Sequence, residues 1–137
     1  MPYVLLAEDD TSLRELVADS LRASGHQVEA VADGGRLLVA LGQAMRRGVM
    51  PDLIVSDVNM AVMSGLEMAA ALHETRGRVP LVLMTAFPDD RTLARARALR
   101  AHMLAKPFGL EDLARLVEVC LTTPDPTGAE RHADDGK

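Results

Sequence analysis

The chain predicts an α/β fold: a doubly wound, five-stranded parallel sheet in the order 2-1-3-4-5, with five helices. Short unbroken apolar runs recur along its 137 residues, at Val4-Leu5-Leu6-Ala7, Leu53-Ile54-Val55-Ser56 and Leu81-Val82-Leu83-Met84, with a fourth at His102-Met103-Leu104-Ala105. Strands buried on both faces of a parallel sheet read this way. Segments with apolar residues at helical spacing separate the runs, so strand and helix alternate. Each run also ends in reactive residues: Glu8-Asp9, Asp57, Thr85 and Lys106. In open α/β sheets chemistry gathers outside the carboxyl ends of the strands. One edge therefore collects three carboxylates, a hydroxyl and a lysine, a set suited to Mg²⁺ and a phosphoryl group.

Residues 3–7 form the first strand. Asp10-Thr11-Ser12 begins a helix with Leu13, Leu16, Val17 and Leu21 as its stripe; Ser12 and Glu15 have capping-box spacing, and Gly25 stops it. Residues 27–32 make a weaker, partly polar strand suited to a sheet edge. Asp33-Gly34-Gly35 turns the chain into a second helix through Leu37, Leu38, Leu41 and Met45, ending at Gly48. The third strand covers 52–56, a loop follows to 64, and a third helix runs over about 65–75 until Gly77. Val79-Pro80 leads into the fourth strand, which ends near Ala86. Pro88 suits the first turn of a fourth helix, with Asp89 and Asp90 favoured by its dipole. The fifth strand ends at Ala105. The last helix, 111–121, turns Leu113, Leu116, Val117 and Cys120 inward. Residues 1–121 then form one domain, and 122–137, rich in Pro, Thr and charge, form a disordered polar tail or the start of a linker.

Composition narrows the function. One Tyr, two Phe and no Trp leave an aliphatic core, with eight Met to fill gaps. The net charge of −5 and the lack of a basic block argue against direct nucleic acid binding. Arg91, Arg95, Arg97 and Arg100 read as a solvated helix face. No apolar stretch is long enough for a bilayer, and no secretory signal opens the chain. Cys120 stands alone and reads as an inert core thiol, in keeping with a cytoplasmic location.

Glu8-Asp9, Asp57-Val58-Asn59-Met60, Thr85-Ala86 and Lys106-Pro107-Phe108, in that order and spacing, resemble the CheY-like receiver domain of two-component response regulators. The resemblance covers about residues 3–121 and implies a flavodoxin-like fold. It implies that Asp57 accepts a phosphoryl group from a sensor histidine kinase or phosphotransfer protein, with Mg²⁺ as cofactor. Asp9 and Asp57 would ligate the metal directly, Asn59 through its main-chain carbonyl and Glu8 through a water. Thr85, Ala86 and Lys106 would contact the phosphoryl group. Pro107 would be structural, behind a cis peptide bond that aims the lysine inward. Output would pass to a downstream protein through the fourth helix, fifth strand and fifth helix, a face on which receivers also dimerise. No enzymatic activity is implied beyond the domain's own phosphorylation and dephosphorylation.

The chain departs from the pattern in places. Many receivers carry an aromatic residue three positions before the lysine, where this chain has Met103. Leu99-Arg100 replace a common Gly-Ala, which implies altered backbone geometry before the fifth strand. Phe87, two residues after Thr85, cannot orient a hydrolytic water as a polar residue would, so slow loss of the phosphoryl group is expected.

The leading reading is a stand-alone receiver, a phosphorylation-controlled binding module. The alternative is the N-terminal receiver of a longer regulator with a DNA-binding or enzymatic output domain. A Mg²⁺-dependent phosphohydrolase of the haloacid dehalogenase type is remote, because its nucleophile lies in an Asp-x-Asp motif on the first strand. A phosphorylation-independent adaptor would lack Asp57 or Lys106, and both are present.

Overall fold

A computed structural model describes residues 1–58, 79–98 and 100–122. Its elements run β1 (Tyr3–Ala7), α1 (Thr11–Ala23), β2 (Gln27–Val31), α2 (Gly34–Arg47), β3 (Leu53–Asp57), β4 (Leu81–Thr85), α3 (Asp90–Ala98), β5 (His102–Ala105) and α4 (Leu110–Thr122). The helix expected over 65–75 and the tail lie outside the described residues, so α3 and α4 are the fourth and fifth helices of the sequence reading. The sheet is parallel throughout, in the order β2-β1-β3-β4-β5.

Alternation along each central strand builds two cores. Tyr3, Leu5, Ala7, Ile54, Leu81 and Leu83 pack on the side that receives Leu37, Ala40, Leu41 and Ala44 of α2 and Ala96 of α3. Val4, Leu6, Leu53, Val55, Val82 and Met84 pack on the other, against Val17, Ala18 and Leu21 of α1 and Leu113, Val117 and Cys120 of α4. Each fully buried Leu or Val contributes about 1.5–3 kcal/mol from burial alone. These layers fix the heights at which β1, β3 and β4 end.

The helix ends differ from the sequence reading in detail. Asp10, at the head of the Asp10-Thr11-Ser12 helix signal, caps α1, accepting from the Leu13 N–H at 2.9 Å. Asp33 caps α2 through the Arg36 N–H at 2.8 Å. Asp89 caps α3 through the Thr92 N–H at 2.8 Å, which leaves Pro88 ahead of the helix rather than in its first turn. The Asp10 and Asp33 caps each contribute about 1 kcal/mol. Arg100 adopts φ 60°, so a non-glycine residue takes the left-handed turn before β5.

Three leucine- or methionine-sized residues assigned inward by periodicity face solvent instead: Leu16, Leu38 and Met45. On α1 the buried stripe passes through Val17, Ala18 and Leu21, about 100–160° round the helix from Leu16. On α2 it passes through Ala40 and Ala44. Those small side chains let the helix sit close to the sheet and rotate Leu38 and Met45 outward. Leu116 of α4 is only partly buried.

The edge strand β2 is partly closed. Gln27 donates to the Pro2 carbonyl at 2.7 Å and the Val31 carbonyl accepts from Glu8 N–H at 3.1 Å, so these residues turn their backbone toward β1. Val28, of opposite parity, turns outward, and its carbonyl accepts from Arg22 Nη2 at 3.0 Å.

Leu37→Ala removes a fully buried side chain that ties α2 to the sheet. The expected loss is about 2–5 kcal/mol, read as a lower urea midpoint with an unchanged slope.

Candidate functional site

The carboxyl ends of β1, β3 and β4 and the residue after β5 converge on Lys106. Thr85 pairs with Ala105 in the sheet, and the Lys106 N–H donates to the Thr85 carbonyl at 2.7 Å. The Lys106–Pro107 peptide bond is cis, as expected from the sequence. Lys106 Nζ donates to Asp57 Oδ2 at 3.0 Å and to Glu8 Oε1 at 2.9 Å. Asp57 is the last residue of β3; the next residue's N–H, on Val58, bonds the Met84 carbonyl at 2.8 Å and pins that strand end to β4.

Glu8 is buried and held from three directions. Its Oε2 accepts from the Asp10 N–H at 3.0 Å, its Oε1 from Lys106, and its carbonyl from Arg14 Nη1 at 2.9 Å. Asp9 beside it is exposed. Carboxylate oxygens of Glu8, Asp9 and Asp57 lie within 4.8 Å of one another, a donor set of hard oxygens that fits a divalent cation such as Mg²⁺. Thr85 is buried at the end of β4, and its Oγ1 accepts from the Phe87 N–H at 3.0 Å.

Burial pushes the Glu8 carboxyl above its ordinary 4.5, with the nearby Asp57 charge adding to it; the Lys106 and Asp10 bonds oppose this without cancelling it. Burial pulls the Lys106 ammonium down, but bonds and charges from Glu8 and Asp57 together outweigh it and raise the group above 10.5.

The structure brings Glu8, Asp9, Asp57, Thr85 and Lys106 to one edge. Ala86 and Phe87 follow Thr85 and are exposed, Phe87 at 72%. Met103 is partly buried against the α2-side core, where an aromatic often stands. Asn59 lies outside the described residues. Sequence reasoning missed the Lys106–Glu8 pair and the Arg14 clamp. The first had a signal in the extra methylene of Glu8, long enough to reach the lysine. The second had one in Arg14 sitting on the first turn of α1.

Residues 4–118 match the family profile of the response regulator receiver domain. The chain belongs to this family. It is a receiver domain of the two-component type, similar over 120 residues to the transcriptional regulatory protein PdtaR of Mycobacterium tuberculosis, at 32% identity, with 87% of this chain and 56% of that protein covered. It is 36% identical over 115 residues to the response regulator protein FleR of Pseudomonas aeruginosa, covering 83% of this chain and 23% of the relative. The receiver thus spans about half or less of these relatives. Among solved structures, Vibrio cholerae CheY4 is similar at TM-score 0.77 and 33% identity, over 88% of this chain and 99% of that one. The receiver domain of the sensor histidine kinase PA1611 of P. aeruginosa, solved with a magnesium ion in its active site cleft, is similar at TM-score 0.75 and 26% identity, over 89% and 98%. No helix among the described residues of the receiver is long and apolar enough to cross a membrane.

The raised Lys106 pKa has a definite sign. Its contribution to stability is fully present below the unfolded value of 10.5 and is lost as pH climbs through the higher folded value. Tyr3, also raised, and Cys120, pushed up to about 11, act in the same direction. Urea midpoints of wild type and Lys106→Met should therefore converge above pH 10.5, and a constant gap would contradict the pairing.

Proposed function

We propose that Asp57 is the phosphoacceptor of a phosphorylation-controlled switch and that Mg²⁺ assists it at the Glu8–Asp9–Asp57 cluster. The observation that carries this reading is Lys106 Nζ bonded at once to Asp57 and Glu8 at the convergence of the strand ends. The partly buried ammonium there holds one Asp57 oxygen in place at the strand ends, where the carboxylate can act as a nucleophile. An Asp57 oxygen attacks the phosphorus of a phosphohistidine on a sensor kinase or phosphotransfer protein. The P–N bond breaks, its electron pair stays on the imidazole, which takes up a proton, and an acyl phosphate forms on Asp57. Lys106 then pairs with a phosphoryl oxygen, and the Thr85 hydroxyl and the Ala86 backbone contact the same group.

The metal would supply positive charge against crowded carboxylate and phosphoryl oxygens. Asp9 and Asp57 would hold it directly, Asn59 by its main-chain carbonyl and Glu8 through a water. The magnesium in the similar PA1611 receiver supports that assignment. Phosphorylation adds charge beside Thr85 and so biases the loop that leads through Phe87 to α3. The readout is a change of protein contacts on the face formed by α3, β5 and α4, to a downstream protein or a second copy. The Cys120 thiol, buried and raised to about 11, is in keeping with a cytoplasmic location. The partial coverage of PdtaR and FleR favours a second reading, in which the receiver regulates an output domain of a longer protein.

Intact mass after incubation with acetyl phosphate and Mg²⁺ tests the proposal. One phosphoryl group is expected on wild type and none on Asp57→Asn or after chelation. Unchanged phosphorylation of Asp57→Asn would overturn the assignment.

Phe87 points to solvent and carries no group that could orient an attacking water. Phe87→Glu should shorten the lifetime of the acyl phosphate several-fold, followed as decay of the phosphorylated mass after removal of the donor.

A further inference from the structure

The outward face of α2 is built for contact in a way that the phosphorylation site does not use. Val39 is 60% exposed, Leu38 44% and Met45 41%, although α2 already buries a full face of Leu37, Ala40, Leu41 and Ala44. Leu38, Gly42 and Met45 follow one another at i, i+4 and i+7, and so lie in a single row along the helix. Gly42 leaves a notch in that row: a Cβ placed there would meet only Arg46 Nη1, at 3.8 Å. The result is a shallow apolar dip between Leu38, Val39 and Met45, with the Arg46 guanidinium against one side of it. A ridge of another helix fits such a dip.

The charges on the helix are of one sign. Between Gly34 and Arg47, α2 carries Arg36, Arg46 and Arg47 and no acidic residue, in a chain whose net charge is −5. Arg36 is paired with the cap Asp33 at 3.6 Å. Arg46, beside the notch, has no ion-pair partner among the described residues. Two α2 helices set face to face would bring these cations together. An anionic bilayer would find no aromatic residue on the α2 face to anchor it.

We propose that this face of α2 docks an acidic amphipathic helix of a partner protein, its apolar ridge in the Gly42 notch and a carboxylate on Arg46. This surface is distinct from the face of α3, β5 and α4, and its use does not depend on phosphorylation of Asp57. It gives the receiver a second contact by which a partner is held in either state.

The test uses the full chain and a labelled synthetic helix with leucines at i, i+3, i+4 and i+7 and glutamates on the flanks, followed by fluorescence anisotropy. Saturable binding is expected, weakened at least tenfold by Arg46→Glu and by Leu38→Gln, and preserved by Arg46→Lys. The same peptide with lysines for glutamates should not bind. Circular dichroism and acetyl phosphate labelling of Asp57 should be unchanged in all three variants, since none touches the core or the site. No binding, or equal binding by wild type and Arg46→Glu, overturns the proposal. So does a concentration-dependent dimer abolished by Arg46→Glu, which would make a second copy the occupant. Retention on anionic lipid vesicles that is lost in the same variant would assign the face to a membrane and would equally overturn it.

Discussion

One ammonium group shared by two carboxylates organises the carboxyl edge of the sheet. Glu8 and Asp57 leave strands β1 and β3 at adjacent points, and each is taken largely out of water. Two like charges so placed repel, and each loses hydration that nothing apolar can replace. Lys106 answers both at hydrogen-bond distance. It reaches them because β5 ends level with β4, where the Lys106 N–H is fixed to Thr85. The register of four strands is thus written into one contact, and the packed layers on either side of the sheet exist, functionally, to keep it.

The arrangement is short of positive charge by design. Three carboxylates of the cluster stand beside one lysine, a donor set that fits a divalent cation and whose mutual repulsion such a cation would relieve. Glu8 shows how close the balance runs. Burial raises its pKa even though a lysine and a backbone amide both favour its charged form. A cation in the cluster would act on the same carboxyl in the opposite sense from burial. The Arg14 guanidinium, bonded to the Glu8 carbonyl, immobilises the peptide from which Glu8 and Asp9 both hang.

The sheet and its reactive edge were legible because both rest on local, periodic signals. An apolar run of four or five residues followed by Asp, Thr or Lys identifies a buried strand and its working end together, and β1, β3, β4 and β5 all carried that signature. The helices were legible in position but not in rotation. On α2, periodicity weighted Leu38 and Met45 as core, whereas Ala40 and Ala44 occupy the sheet side. Alanine gives almost no amphipathic signal, yet a short side chain is what close helix–sheet packing selects. The start of α3 was misplaced for a related reason: Pro88 and Asp89 both suit a helix start, and only the Asp89 bond to the Thr92 N–H decides between them. Long-range polar contacts such as Lys106 to Glu8 leave no trace in spacing, being separated by 98 positions.

The bond from Arg22 to the outward carbonyl of Val28 has a meaning beyond the stability of α1 and β2. An edge strand offers its free backbone groups to any extended chain that comes near, and a short, partly apolar strand such as β2 is an easy template for fibril growth. By covering one of the outward acceptors with a charged side chain anchored on the neighbouring helix, the protein interrupts that template midway. A signalling domain must meet other proteins repeatedly and let them go. Arg22 helps ensure that those meetings are made through side chains, which can be selective and reversible, and not through backbone pairing, which is neither.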